Sequence, residues 1–292
     1  MITLKSYLAD RAICLFLILI AFVPFINAES KIKEKEFIVF DLISAIDKPV
    51  DLPLTKMHML YQWQSYGGAK KGYEKKDYKN TIPEQYLKCC YMQDNLEALE
   101  AEYISIDFEQ WRWYDTKSKN HSSYMEHYKN TIGLVRSIFP EGTKISWYNT
   151  GVMPRKFDYS KEVPLADLNW WRMRNDVGKQ LVNEYDYMQP SFYLRRADSL
   201  LGWKKRVELI VSEYRRLEPS KPLYAHLSPQ FVDNPKKLVA PEKWREILYY
   251  VHDITDGIVI WTYPQKRYMK HWDEHQEWWA VTVEFCNALA SQ

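Results

Sequence analysis

Alternating strand-like and helix-like segments along most of the 292 residues predict a (β/α) barrel of the TIM type, distorted or with fewer than eight regular strands. Short apolar, β-branched runs alternate with longer amphipathic ones, the pattern of a parallel sheet with helical crossovers. Aromatic and acidic residues gather at the carboxyl ends of the strand-like runs, where barrels of this kind carry their active groups. Only nine glycines occur, and no glycine-rich phosphate loop follows any strand, which weighs against a nucleotide-binding doubly wound sheet.

The elements follow in order. Residues 1–28 read as a secretory signal peptide: Lys5 and Arg11 flank a short polar start, and Ala12 to Ile26 is apolar until Pro24 breaks it. Asn27-Ala28 then offers a small residue before the polar Glu29-Ser30-Lys31. The apolar run is short for a bilayer span, an uncleaved anchor being the alternative, and no later segment is long enough. The mature chain is therefore expected to be secreted or periplasmic, one α/β domain over 29–292 with no stable membrane span. Lys56 to Trp63 is strand-like, with Phe37 to Phe40 a further candidate before it, and Ile82 to Leu99 is helix-like after Asn80-Thr81. Tyr103 to Glu109 is a β-branched strand, Ser123 to Ile138 a helix that Pro140 ends, and Lys144 to Asn149 a strand. Asp167 to Asn183 is helical, and Tyr185 to Tyr193 is a strand interrupted by Pro190. A helix over Leu200 to Leu217 precedes a strand over Pro222 to Leu227, and Pro241 opens the next helix, to Ile254, at its first turn. Gly257 to Tyr263 is the last strand and Asp273 to Leu289 the closing helix. The stretch 64–102 leaves room for one more strand.

A composition of 46% hydrophobic and 27% charged residues supports a sizeable core and excludes a disordered chain. Twelve Trp and 22 Tyr either fill that core, the default, or pave a carbohydrate cleft by stacking on sugar faces. Cys14 falls in the signal, so the mature chain keeps Cys89, Cys90 and Cys286, an odd set that permits one bridge and one thiol. Without clustered histidines these make no zinc site, and neither a metal nor a cofactor is expected. The formal net charge of +2 points to no polyanion partner globally. The proposed strand-to-helix loops are nevertheless basic and the rest of the chain acidic, so a positive rim would draw an acidic polysaccharide. Solvated Lys-rich loops are the ordinary explanation of the same pattern. No nucleic-acid motif accompanies the charge, and a monomer is expected.

Asp107 and Glu109 are the strongest functional signal. Strand side chains repeat every two residues, so both acids face one side while Phe108 faces the other. In isolation an Asp-x-Glu is most simply a pair of solvated acids; here it ends a buried-looking strand, with Trp111 close behind. In a barrel, other strand ends share its rim: Tyr61 and Trp63, Trp147 and Tyr148, Tyr193, His226 and Trp261. Together they describe an aromatic-walled pit around two acids, the constellation expected of a glycoside hydrolase. His226 reads most simply as a core or rim histidine, and no Ser-His-Asp pattern suggests a hydrolytic triad.

Ile106-Asp107-Phe108-Glu109-Gln110-Trp111-Arg112 resembles the acid motif of the hyaluronidases, and Gln189-Pro190-Ser191-Phe192-Tyr193 resembles their Pro-Ser-x-Tyr segment. Asp256-Gly257-Ile258-Val259-Ile260-Trp261 is similar to their final strand, and the order agrees over roughly residues 56 to 290. Phe108 stands where that family has Trp, Gln110 where it has Glu, and Gln189 where it has an aromatic residue. The resemblance implies substrate-assisted hydrolysis of an N-acetylhexosaminide. Glu109 would be general acid and then base, and Asp107 would orient the substrate's acetamido group. Tyr148 and Tyr193 would position that group, Trp261 would floor the sugar, and Tyr61 and Trp111 complete the expected binding set. Repulsion between the two carboxylates is expected to keep Glu109 protonated near neutral pH. A muramidase or chitinase-like hydrolase and a non-catalytic carbohydrate-binding barrel fit the same residues.

Overall fold

The computed structural model describes residues 36–61, 100–109, 111–153, 157–263 and 271–291. The signal segment, Trp63, the helix read from Ile82 to Leu99, the region 64–102 up to residue 99, and Cys89 and Cys90 lie outside these described residues.

Six parallel strands form one sheet: β1 (Ile38–Leu42), β2 (Thr55–Tyr61), β3 (Tyr103–Asp107), β4 (Lys144–Trp147), β5 (Tyr224–Leu227) and β8 (Gly257–Trp261). Their spatial order is β4-β3-β2-β1-β8-β5, with a short antiparallel hairpin, β6 (Gln230–Phe231) and β7 (Asn234–Leu238), standing apart. The sheet curls because each strand twists against its neighbour. Its two edges meet through one segment, 186–192. Tyr148 bridges Gln189 on the β4 side, while Met188 bridges Leu223 and Ser191 bridges His226 on the β5 side, all in parallel. The Asp186 N–H donates to the Ile145 carbonyl at 2.9 Å, and the His226 N–H donates to the Pro190 carbonyl at 2.8 Å. The strand read over Tyr185 to Tyr193 is thus a stave of single bridges. Pro190 has no N–H to give, so a continuous ladder cannot form there. Among the described residues seven parallel staves result, matching the six strand candidates plus the one near Phe37.

Helices α1 (His121–Ile138), α2 (Leu165–Val182), α3 (Leu200–Leu217), α4 (Pro241–Ile254) and α5 (Glu277–Ala290) cover the outside. The Ser199 hydroxyl caps α3 by accepting the Gly202 N–H at 3.1 Å, and proline opens α4. The closing helix begins later than Asp273 because that residue makes a turn instead, its carboxylate accepting the His275 N–H at 3.0 Å. No described helix is long and apolar enough to cross a membrane.

Alternation along each stave divides the core in two. Outward residues such as Leu60, Ile104, Ile106, Ile145 and Ile258 pack under the helices in the larger cluster. Inward residues Phe40, Met57, Tyr187, Tyr224 and Val259, with Tyr103 against them, plug one end of the barrel. Above this plug the interior turns polar: the Ser105 hydroxyl donates to Gln189 Oε1 at 2.7 Å, and Tyr187 donates to the Ile104 carbonyl at 2.8 Å. These bonds cross the barrel and fix stave against stave beneath the strand ends. Cys286, on α5, has no disulfide partner among the described residues.

Candidate active site

Asp107 closes β3, in register with Tyr61 of β2, and faces inward by the same alternation that turns Ser105 inward. Phe108 points the opposite way and is 1% exposed, wedged edge-on against Trp111 and Trp147. That burial returns Glu109 to the barrel mouth. The Trp147 indole N–H donates to the Phe108 carbonyl at 3.3 Å, and the Tyr128 hydroxyl donates to the Trp111 carbonyl at 2.9 Å. The backbone on both sides of Glu109 is therefore pinned from behind.

Both acids line one cavity of about 680 Å³ at the carboxyl ends of the staves, a size suited to sugar rings. Met59 lies at its floor, one alternation below Tyr61. A continuous aromatic stack forms one wall. Tyr148 and Tyr193 stack at 6.3 Å between ring centres, Tyr193 and Trp261 at 5.2 Å, and Trp261 packs on Tyr263 at 4.6 Å. Hydrogen bonds set the ring orientations: the Trp261 indole N–H donates to the Tyr61 hydroxyl at 3.0 Å, and the Tyr148 hydroxyl donates to Ser191 Oγ at 3.0 Å. Tyr263 is held at the rim by its hydroxyl donating to the Val232 carbonyl at 2.8 Å, so the small β6–β7 hairpin buttresses the wall.

The charges in the cavity are unevenly distributed. Burial, with a smaller contribution from the neighbouring Glu109 charge, lifts the Asp107 carboxyl from 3.8 to about 7. Glu109 is also raised, by burial. Its surface is exposed to solvent because it stands on the concave side of the cleft, where protein surrounds it without covering it. The expected repulsion thus falls mainly on Asp107, the deeper of the two, and desolvation outweighs it at both. Tyr61 is pushed up to about 12 by burial, the bond from Trp261 opposing this and Asp107 adding to it. Tyr148 and Tyr193 are likewise held above the ordinary phenol range by burial, so both remain neutral hydrogen-bonding groups.

Arg195 and Arg206 bring two guanidinium groups, opposite in charge to the acids, to the same cavity lining, with Asp198 between them in sequence. Arg206 donates to the Tyr193 carbonyl at 2.8 Å and lies 3.5 Å from the Asp198 carboxylate. Its Nε is buried and without a partner among the described residues.

Asp107, Glu109, Tyr148, Tyr193 and Trp261 therefore share one cavity, and Tyr61 adjoins it through Trp261. Trp111 requires correction: it is 2% exposed and packs among Phe108, Tyr128 and Trp147 in the outer core. Beyond Asp107 the strand has ended, so its alternation no longer sets the direction of the Trp111 side chain, and the Trp113 N–H bonds back to the Trp111 carbonyl at 3.0 Å in a turn. Trp147 is buried too, on the outward face of β4. His226 is a core histidine, fully buried against Tyr148 at 4.8 Å and pushed down to about 3 by desolvation, hence neutral. Asn149, Tyr263 and Arg206 were not singled out by the sequence. Tyr263 was legible, two residues beyond Trp261 on the same alternation; Arg206 reaches in from a helix, and no local pattern marks it.

No protein-family model matches the chain, and no curated protein matches it in sequence. Among solved structures it is similar to bee venom hyaluronidase in complex with a hyaluronic acid tetramer, at 14% identity over 69% of this chain and 72% of that one, with a TM-score of 0.49. A second bee venom hyaluronidase structure gives 14% identity, 69% and 74% coverage and a TM-score of 0.48. A GH26 β-mannanase from Bacteroides ovatus gives 12% identity, 88% and 90% coverage and a TM-score of 0.39.

Proposed function

We propose that this chain is an exported glycoside hydrolase that cleaves an N-acetylhexosamine-containing polysaccharide by a substrate-assisted, retaining mechanism. One observation carries the reading: two carboxyls with raised pKa values stand two positions apart on one stave and open into a cavity walled by stacked aromatic rings.

Glu109, accessible and with its carboxyl pKa raised by burial, protonates the glycosidic oxygen as the bond breaks and then takes a proton from the incoming water. Asp107 ends β3 and Glu109 follows two residues later, so both carboxyls enter the cavity from the end of the same stave. A protein nucleophile opposite the acid is therefore not supplied by this pair. The substrate's own acetamido oxygen takes that part, attacking the anomeric carbon from the far side to give a bicyclic oxazolinium ion that water reopens. Asp107 orients the acetamido N–H and, as the ring closes, stabilises the positive charge that develops there. A carboxyl whose pKa lies near 7 can do this at little cost, because it exchanges between neutral and charged forms across the working range. Tyr193 and Trp261 supply the flat apolar face on which a sugar stacks, and Tyr148 borders the acetamido position.

Arg195 and Arg206 favour an acidic polymer such as a glycosaminoglycan over neutral chitin or peptidoglycan glycan, since two guanidinium groups in the cavity lining would attract a uronate carboxylate. The resemblance of the acid motif makes hyaluronan the first polymer to offer. The mechanism is tested with oligosaccharides whose N-acetyl groups carry one, two or three fluorines. Progressive loss of carbonyl basicity should lower the cleavage rate stepwise by orders of magnitude; rates unaffected by fluorination would refute substrate assistance.

A further inference from the structure

We propose that Asn149 is a substrate-contacting residue, its carboxamide engaging two neighbouring hydroxyls of the sugar bound against the Tyr148–Tyr193–Trp261 stack; this rests on the glycosidase reading above. Asn149 follows Tyr148 at the end of β4 and lines the same cavity as the two acids. Its backbone is left-handed, at φ 49°, a conformation that favours glycine. The surroundings hold it there. The Asn149 N–H donates to the Gln189 carbonyl at 2.8 Å, and the Gln189 side chain is itself fixed by Ser105 at 2.7 Å. On the other side, the Thr150 hydroxyl donates to the Tyr148 carbonyl at 3.1 Å and the Tyr214 hydroxyl donates to the Thr150 carbonyl at 3.0 Å.

Asparagine tolerates this left-handed turn better than most residues, but glycine would adopt it with less strain, and the turn's hydrogen bonds leave the carboxamide itself without a task. The Asn149 carboxamide makes no hydrogen bond to any other described residue, and it faces the cavity. An uncommitted donor and acceptor at a strand end, one residue from a wall of the sugar-sized hollow, is placed to read a ligand. The ligand chemistry follows from the group. A carboxamide presents its donor and acceptor side by side, and two adjacent ring hydroxyls, each able to donate and accept, match that arrangement. A trans acetamido group does not, because its N–H and C=O point in opposite directions. Asn149 therefore grips the sugar ring by its hydroxyls and leaves the acetamido group to Asp107.

The test compares Asn149→Gly with Asn149→Ala. Both remove the carboxamide, but glycine relieves the backbone strain while alanine keeps it. kcat/KM on hyaluronan and chitin oligosaccharides, oligosaccharide affinity by calorimetry in the Glu109→Gln background, and the thermal midpoint are measured together. Loss of the contact should weaken both variants about ten-fold in affinity and in kcat/KM, the size of a hydrogen-bonded contact, while only Asn149→Ala loses thermal stability. Wild-type affinity and turnover in Asn149→Gly would overturn the inference and make Asn149 a turn residue alone, leaving the glycosidase reading intact. If the wild-type protein neither binds nor cleaves these sugars, the glycosidase reading fails and this inference falls with it.

Discussion

Replacing Asp107 by Asn should make the protein more stable at neutral pH while destroying its activity, and the gain should depend on pH in a defined way. In the unfolded chain this carboxyl loses its proton near 3.8; in the folded barrel it does so near 7. Between those values the folded state binds more protons than the unfolded state, so the free energy of unfolding falls as pH rises and the loss is complete above about 7. A displacement of that size corresponds to about 4 kcal/mol at most, a large fraction of a domain's total stability. An amide cannot ionise and escapes the loss. Urea unfolding of wild type and Asp107→Asn at pH 4, 5.5, 7 and 8.5 should show nearly equal stabilities at the acid end. The variant's advantage should then open by about 1 kcal/mol or more per pH unit and level off above pH 7. A gap that stays constant across the series, or a wild type that gains on the variant as pH rises, would refute the claim that burial holds Asp107 partly protonated.

Two further predictions separate the wall of the cavity from the core behind it. Trp111→Ala removes an indole that is 2% exposed and should cost about 3–5 kcal/mol in urea unfolding, whereas Trp261→Ala, at the cavity, should cost less stability but weaken oligosaccharide binding by ten-fold or more. Equal effects of the two substitutions on binding would place both rings at the site and contradict the core assignment. Gly178→Ala should destabilise the barrel despite alanine's better helix propensity, because a Cβ there would lie 2.2 Å from the Gly151 carbonyl and 2.8 Å from the Trp113 ring. A neutral or raised denaturation midpoint in that variant would show that the loop after β4 is not clamped to α2.

Period-two alternation is a local property, and wherever a stave runs straight it made the site readable. It puts Asp107 and Glu109 on one face, and Tyr193 and Trp261 at the ends of their staves. Local alternation loses its hold where the chain leaves the stave. Trp111 comes four residues after Asp107, beyond the end of the strand, where the two-residue alternation no longer decides which way a side chain points. Asn149 takes its importance from a left-handed backbone fixed by Gln189 and Tyr214, both distant in sequence. Arg206 enters the cavity from α3, so its role depends on helix packing. The closing stave was visible as a strand, but the single bridges that Pro190 enforces are a product of pairing on both sides.

The central claim is that Glu109 gives a proton to a glycosidic oxygen. Reducing-end release from hyaluronan, chondroitin, chitin oligomers and peptidoglycan glycan, by purified wild type and Glu109→Gln side by side, tests it most directly. Wild type should turn over an N-acetylhexosamine polymer, and Glu109→Gln should lose at least about a hundred-fold in kcat while still binding that polymer. Undiminished release by Glu109→Gln would contradict the claim, and so would a wild type that binds the polymer without cleaving it.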